Sequence, residues 1–225
     1  MIHGMRLSRE VGAQPSPWMD CAVVYGTFLG AFSGAIWVFR HLPHSQATAI
    51  GFELIPYLVI FGVVTWRRSR GRPRFPIGSP RFLFGRASIL WILAAGIATY
   101  TAYRHGAFGQ HSIAWRVDTF INDPIEAPLA EEFGFRGAIL TALNMTSLGK
   151  RSFLGFRLGT LVSAVAFGAY HLVSLLAGMP MKEAPMFVAS ALGAGIVFGY
   201  LYQRTQNLWY GIFIHALGNF SQVLP

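Results

Sequence analysis

Glu131 and Glu132 stand side by side in a stretch that is otherwise apolar, with Arg136 four residues on. Phe167 and His171 are also four apart, and so are His215 and Asn219. On a helix, this spacing puts the two members of each pair on one face. An acid four residues before an arginine is the better orientation for an ion pair, so Arg136 is expected to hold Glu132 ionised. Glu131, turned about 100° away from its neighbour, has no such partner in the local sequence. It is left free to act as a base.

Residues of these types can hydrolyse an amide. A glutamate in a partly dry pocket, together with a histidine, can orient and deprotonate a water that attacks a scissile carbonyl. A second histidine and an asparagine amide can donate hydrogen bonds to the oxyanion that forms, and one well-placed donor contributes about 3 to 4 kcal/mol. No nucleophilic serine or cysteine is required. A lone histidine in an apolar span is most often hydrogen-bonded to a neighbouring helix. Here, however, two histidines, an asparagine and two glutamates are shared among apolar segments, where ionisable groups are functional candidates by default.

The ordered set Glu131-Glu132-x-x-x-Arg136, Phe167-x-x-x-His171 and His215-x-x-x-Asn219 resembles the three motifs of the CAAX protease and bacteriocin-processing family, also called Abi, related to Rce1-type CAAX endopeptidases. The flanks are similar too: Arg136-Gly137 after the acidic pair, then Gly199-Tyr200-Leu201-Tyr202 and Asn207-Leu208-Trp209 before the last motif. The resemblance runs from about Asp123 to Phe220. It implies that Glu131 activates water with His171, that Glu132 is a supporting acid paired to Arg136, and that His215 with Asn219 binds the oxyanion. Phe167 would form pocket wall beside His171. A glutamate-dependent mechanism without a cofactor is the preferred expectation. Zinc is the alternative, but the His-Glu-x-x-His signature is absent, and Glu131, His171 and His215 would have to assemble a metal site from three helices.

The elements that must carry these residues follow from composition. Hydrophobic residues make up 53% of the chain's 225 residues and charged ones 12%, with a mean hydropathy of +0.45, far from the soluble balance of about 25% charged. The fold class expected is all-α, a polytopic transmembrane bundle of about seven spans. The spans are expected at Asp20 to Phe39, Ala49 to Trp66, Ser88 to Tyr103, Phe120 to Leu143, Leu158 to Ala177, Pro185 to Tyr202 and Leu208 to Leu224. The fourth holds Asp123, Glu126, Glu131, Glu132 and Arg136. Each would cost about 2.5 kcal/mol or more at a bilayer centre, so they require a buried or watered face. Glycines at 26, 30 and 34, and the set Ala191, Gly195 and Gly199, are spaced for close helix approach.

The net charge of +9 comes from basic clusters between apolar runs, which read as topology signals rather than a nucleic-acid surface. Placing Arg67 to Arg86 in the cytoplasm puts Arg6, Arg9, Lys150, Arg151, Arg157 and Arg204 there too. Arg40, Arg104, Arg116 and Lys182 then fall outside, with the N-terminus in and the C-terminus out. The single cysteine, Cys21, excludes an intrachain disulfide. One transmembrane domain over 1–225 is expected, with a cytoplasmic segment at 1–19 and a core bearing the motifs at 118–222. The expected partners are membrane lipid and a protein or peptide substrate at the membrane; the oligomeric state is left open. The expected location is a multi-pass place in a bacterial-type inner membrane. A proton-coupled transporter or a non-catalytic immunity or scaffold protein is the alternative reading, since intramembrane Glu, His and Arg also build proton relays.

Overall fold

The computed structural model describes residues 16–41, 46–69, 75–79 and 125–223. The expected span from Ser88 to Tyr103, the beginning of the one from Phe120, and Asp118, Asp123, His44, His105 and His111 lie outside the described residues. Helix α1 (Pro17–His41) opens on Ser16, whose Oγ accepts from the Met19 amide at 3.2 Å and caps a free helix donor. Helix α2 (Gln46–Ser69) returns beside it. Asp20 near the start of α1 and Arg67 near the end of α2 form a buried ion pair, and the Phe32 and Tyr57 rings meet edge to face at 5.3 Å. The two helices therefore run antiparallel.

Helix α3 begins with an α-helical turn (Ala127–Glu131), widens into nine residues of π-helix (Glu132–Leu140) and closes with another α turn (Thr141–Asn144). In a π-helix the backbone bonds skip one more residue, an arrangement uncommon except at functional sites. Neighbouring hydroxyls help satisfy its carbonyls: Ser163 Oγ donates to Phe135 O at 3.1 Å and Thr141 Oγ1 to Arg136 O at 3.3 Å. Short helix α4 (Ser147–Lys150) is capped by Thr146, which accepts from the Gly149 amide at 2.9 Å. A two-stranded hairpin, β1 (Ser152–Phe153) with β2 (Phe156–Arg157), interrupts the otherwise helical architecture. Its turn residues Leu154 and Gly155 have φ of 51° and 82°, the positive pair that two-residue hairpin turns need.

Helix α5 (Leu158–Tyr170) tightens at its end into a 3-10 turn (His171–Leu175). Helix α6 (Ala184–Thr205) stops at Gln206, which takes the left-handed conformation, and α7 (Leu208–Val223) follows. Gly195 faces Ala164 and Gly199 faces Thr160, so α5 and α6 pack closely along the small-residue stripe. The stripe in α1 behaves otherwise: a Cβ added at Gly26, Gly30 or Gly34 would meet nothing within 4 Å among the described residues. Spacing alone cannot say which way a helix is rotated. The aromatic core joins Phe28 of α1 to Phe135 of α3 at 4.8 Å and Phe135 to Phe167 of α5 at 5.0 Å. Gly134 leaves the room that the Phe28 ring occupies.

Among the described residues, three stretches are long and apolar enough to cross a membrane: Pro17–Val38, Leu158–Leu175 and Ala184–Thr205. The charged groups of α3 are turned inward, where Glu132 and Arg136 are essentially unexposed.

Candidate active site

The acidic pair lies where α3 passes from α to π geometry, and the long helices close around it. Glu132 Oε1 stands 3.0 Å from the Arg136 guanidinium, the pair that the four-residue spacing suggests. Arg136 is enclosed by aromatic faces: its guanidinium carbon lies 4.3 Å from the centre of the Phe167 ring and 5.2 Å from that of Phe198. One nitrogen also donates to Gly195 O at 3.5 Å. The carboxylate and the ring faces take the place of water around the buried guanidinium.

His215, entering from α7, lies between the two acids. Its Nδ1 is 3.3 Å from Glu132 Oε1, and its Nε2 is 3.6 Å from Glu131 Oε2. The imidazole stacks on Phe198, with ring centres 5.2 Å apart. Glu131 Oε2 and Glu132 Oε2 are buried without a hydrogen-bond partner among the described residues. Unpaired buried acceptors are exceptional in folded proteins and mark a place for a water or a donor from a ligand.

His171 stands apart from this cluster. Its Nδ1 is 2.8 Å from Phe167 O, one helical turn back. A carbonyl can only accept, so Nδ1 is the donor in this contact, and the tautomer that it fixes has its lone pair at Nε2. The edge of the His171 ring meets Phe167 at 4.6 Å and Phe187 at 5.3 Å.

Glu131, His171, His215 and Asn219 all line one cavity of about 890 Å³, with Phe167 and Phe198 as wall. The ends of α1, α5 and α7 and the beginnings of α3 and α6 meet around it, shown by Ile36, His171, Asn219, Ala127 and Met186 on its lining. Glu132 and Arg136 lie behind it. Tyr170, a residue that the spacing of the motifs did not single out, lines the same cavity and sets its hydroxyl beside the Glu131 carboxyl. Gly211 was missed too: a side chain there would run into Glu132 Oε2. A tyrosine preceding a histidine, or a glycine in an apolar span, gives no local signal of such contacts.

Residues 114–221 match the Rce1-like family model, described as type II CAAX prenyl endopeptidase Rce1-like. This half of the chain is Rce1-like. The matched segment contains all three motifs and every side chain of the cluster around His215. No curated protein and no solved structure matches the chain. At the level of the family, the match supports a CAAX-type intramembrane endopeptidase, and together with the apolar helices it points to an integral membrane protein. A zinc set of Glu131, His171 and His215 was the alternative from sequence. Among the described residues, no three His, Cys, Asp or Glu side chains gather closely enough to hold a metal ion.

Proposed function

We propose that the protein is a glutamate-dependent endopeptidase that cleaves a peptide bond of a membrane-associated protein or peptide within its cavity. The observation that carries this reading is the position of His215 between Glu131 and Glu132, on the same cavity as His171. The Nε2 edge of His215 is left open to a ligand in the cavity, since 3.6 Å from Glu131 is beyond ordinary hydrogen-bond length.

In this mechanism a water held between Glu131 and His171 loses a proton to that pair, and its oxygen attacks the scissile carbonyl carbon. His215 Nε2–H and the Asn219 amide stabilise the negative charge on the carbonyl oxygen. The tetrahedral intermediate collapses, the C–N bond breaks, and the proton taken from water passes to the leaving amine. Glu132 and Arg136 hold His215 in place, and Phe167 supports His171 from below. The reaction needs no cofactor. Full activity after exhaustive chelation supports this, while loss of activity that only zinc restores refutes it.

The membrane arrangement belongs to the same proposal: seven spans with the N-terminus inside, in a bacterial-type inner membrane. The cavity lies at the end of the bundle where α5 meets α6, the side of Lys182, so it would open outward and receive exported substrates. Reporter fusions after Arg74, Met179 and Pro225 test this, and a cytoplasmic signal at the C-terminus rejects it. The activity is tested by mass spectrometry of membrane and secreted proteins from cells carrying the wild type or Glu131→Gln. A new C-terminus present only with the wild type is the expected result; identical profiles overturn the reading.

A further inference from the structure

The hairpin between α4 and α5 exposes apolar side chains where a water-facing turn would be polar. Leu154 at its tip is 81% exposed and Phe153 57%. Met145 and Leu148, just before it, are exposed as well. Four cations accompany these residues: Lys150, Arg151, Arg157 and, on the last turn of α6, Arg204. The Arg204 guanidinium lies over the Tyr200 ring at 5.3 Å, and Phe156 of β2 meets the same ring at 5.8 Å, which ties the hairpin to α6. None of the four cations has an ion-pair partner among the described residues. From Gly137 onward the sequence contains a single acid, Glu183. It sits at the cavity end, where α6 begins rather than where it stops.

We propose that this hairpin is a lipid anchor, with Phe153 and Leu154 dipping into the boundary between headgroups and acyl chains and the four cations binding the phosphates of anionic phospholipids. Its position sets the depth. The hairpin leads directly into α5 and touches the far end of α6; α5 with its 3-10 turn, and α6, are each long enough to cross a bilayer. It therefore sits at headgroup level, where long basic side chains reach the interface and their apolar neighbours point inward. Each cation near an anionic surface strengthens association by about fivefold. The tight turn, with positive φ at both Leu154 and Gly155, holds the two apolar side chains at the tip. The anchor would fix the height of α5, whose opposite end carries His171. It depends on the membrane location of the protein and not on the peptidase reading.

The test uses the full chain with Cys21→Ala, so that a nitroxide can be attached to Leu154→Cys, to Phe153→Cys as a second variant, and to Val165→Cys on the exposed flank of α5 as a control for membrane insertion. Each is reconstituted in phosphatidylcholine with or without one quarter phosphatidylglycerol. The expected result is that labels at 153 and 154 are more accessible to oxygen than to a water-soluble nickel chelate. With phosphatidylglycerol that protection increases, and the combined change of Lys150, Arg151 and Arg157 to alanine abolishes the increase. Equal access of both quenchers at 153 and 154, with the Val165 label protected, overturns the anchor while leaving the membrane location intact. Protection that is unchanged by lipid charge and appears only at high protein-to-lipid ratio also overturns it, because the partner is then a second copy. An unprotected Val165 label refutes the membrane location and the anchor together, whatever the peptidase assay shows.

Discussion

Gly211 of α7 faces Glu132 of α3 so closely that a methyl group at 211 would stand 2.5 Å from Glu132 Oε2. The absence of one carbon thus sets the distance between the helix that carries the acids and the helix that carries His215. Gly211→Ala is expected to push Glu132 from Arg136 and His215, with a stability loss of about 1 to 3 kcal/mol as for other overpacked sites and a larger loss of activity. Gly193→Ala, where a Cβ meets nothing among the described residues, should change stability by no more than about 1 kcal/mol, in the stabilising direction for a helix interior. Thermal unfolding in detergent beside a peptidase assay separates the two.

The buried ion pair makes a sharper demand. Arg136→Ala leaves buried Glu132 without its guanidinium partner and should destabilise by about 3 to 5 kcal/mol, whereas Glu132→Gln with Arg136→Met removes the pair and should recover much of that loss. Denaturant titrations of the two single variants and the double variant give the coupling. Additive losses would show that the pair contributes little.

Chemistry and folding are expected to part company at Glu131 and His171. Glu131→Gln and His171→Gln keep the size of each side chain and should reduce kcat by at least about 100-fold, the usual share of a general base, with melting temperatures near that of the wild type. A collapse of melting temperature in either variant would assign it a structural role instead.

Tyr170→Phe deletes only the hydroxyl beside Glu131. Expected is a fall in kcat of about tenfold, roughly the worth of one lost hydrogen bond to a charged group, with KM nearly unchanged. Replacing Tyr170 by fluorotyrosines, which alter the acidity of the hydroxyl and hardly its shape, should change kcat in step. A Tyr170→Phe variant with wild-type kcat would leave the ring as wall only.

Much of this protein was legible in the residues themselves. The apolar runs gave α1, α2, α5, α6 and α7 to within a few residues of where they lie, because length and hydropathy are local properties of a helix. The Glu132 to Arg136 contact was legible for the same reason, since four residues along one helix fix their own neighbourhood. So was the stripe on α6, although the similar stripe on α1 faces no helix among the described residues.

Tertiary structure alone decided how the motifs meet. His215 reaches Glu132 across 83 residues of sequence, and which acid each ring nitrogen approaches depends on helix rotation and crossing, which periodicity leaves free. The widening of α3 into a π-helix, the ring faces around Arg136 and the Tyr170 hydroxyl beside Glu131 have the same origin. The sequence by itself determined which polar groups must hide from lipid. Packing determined against which partners they hide, because burial of a charge is settled by the atoms that replace its water, and those come from other helices.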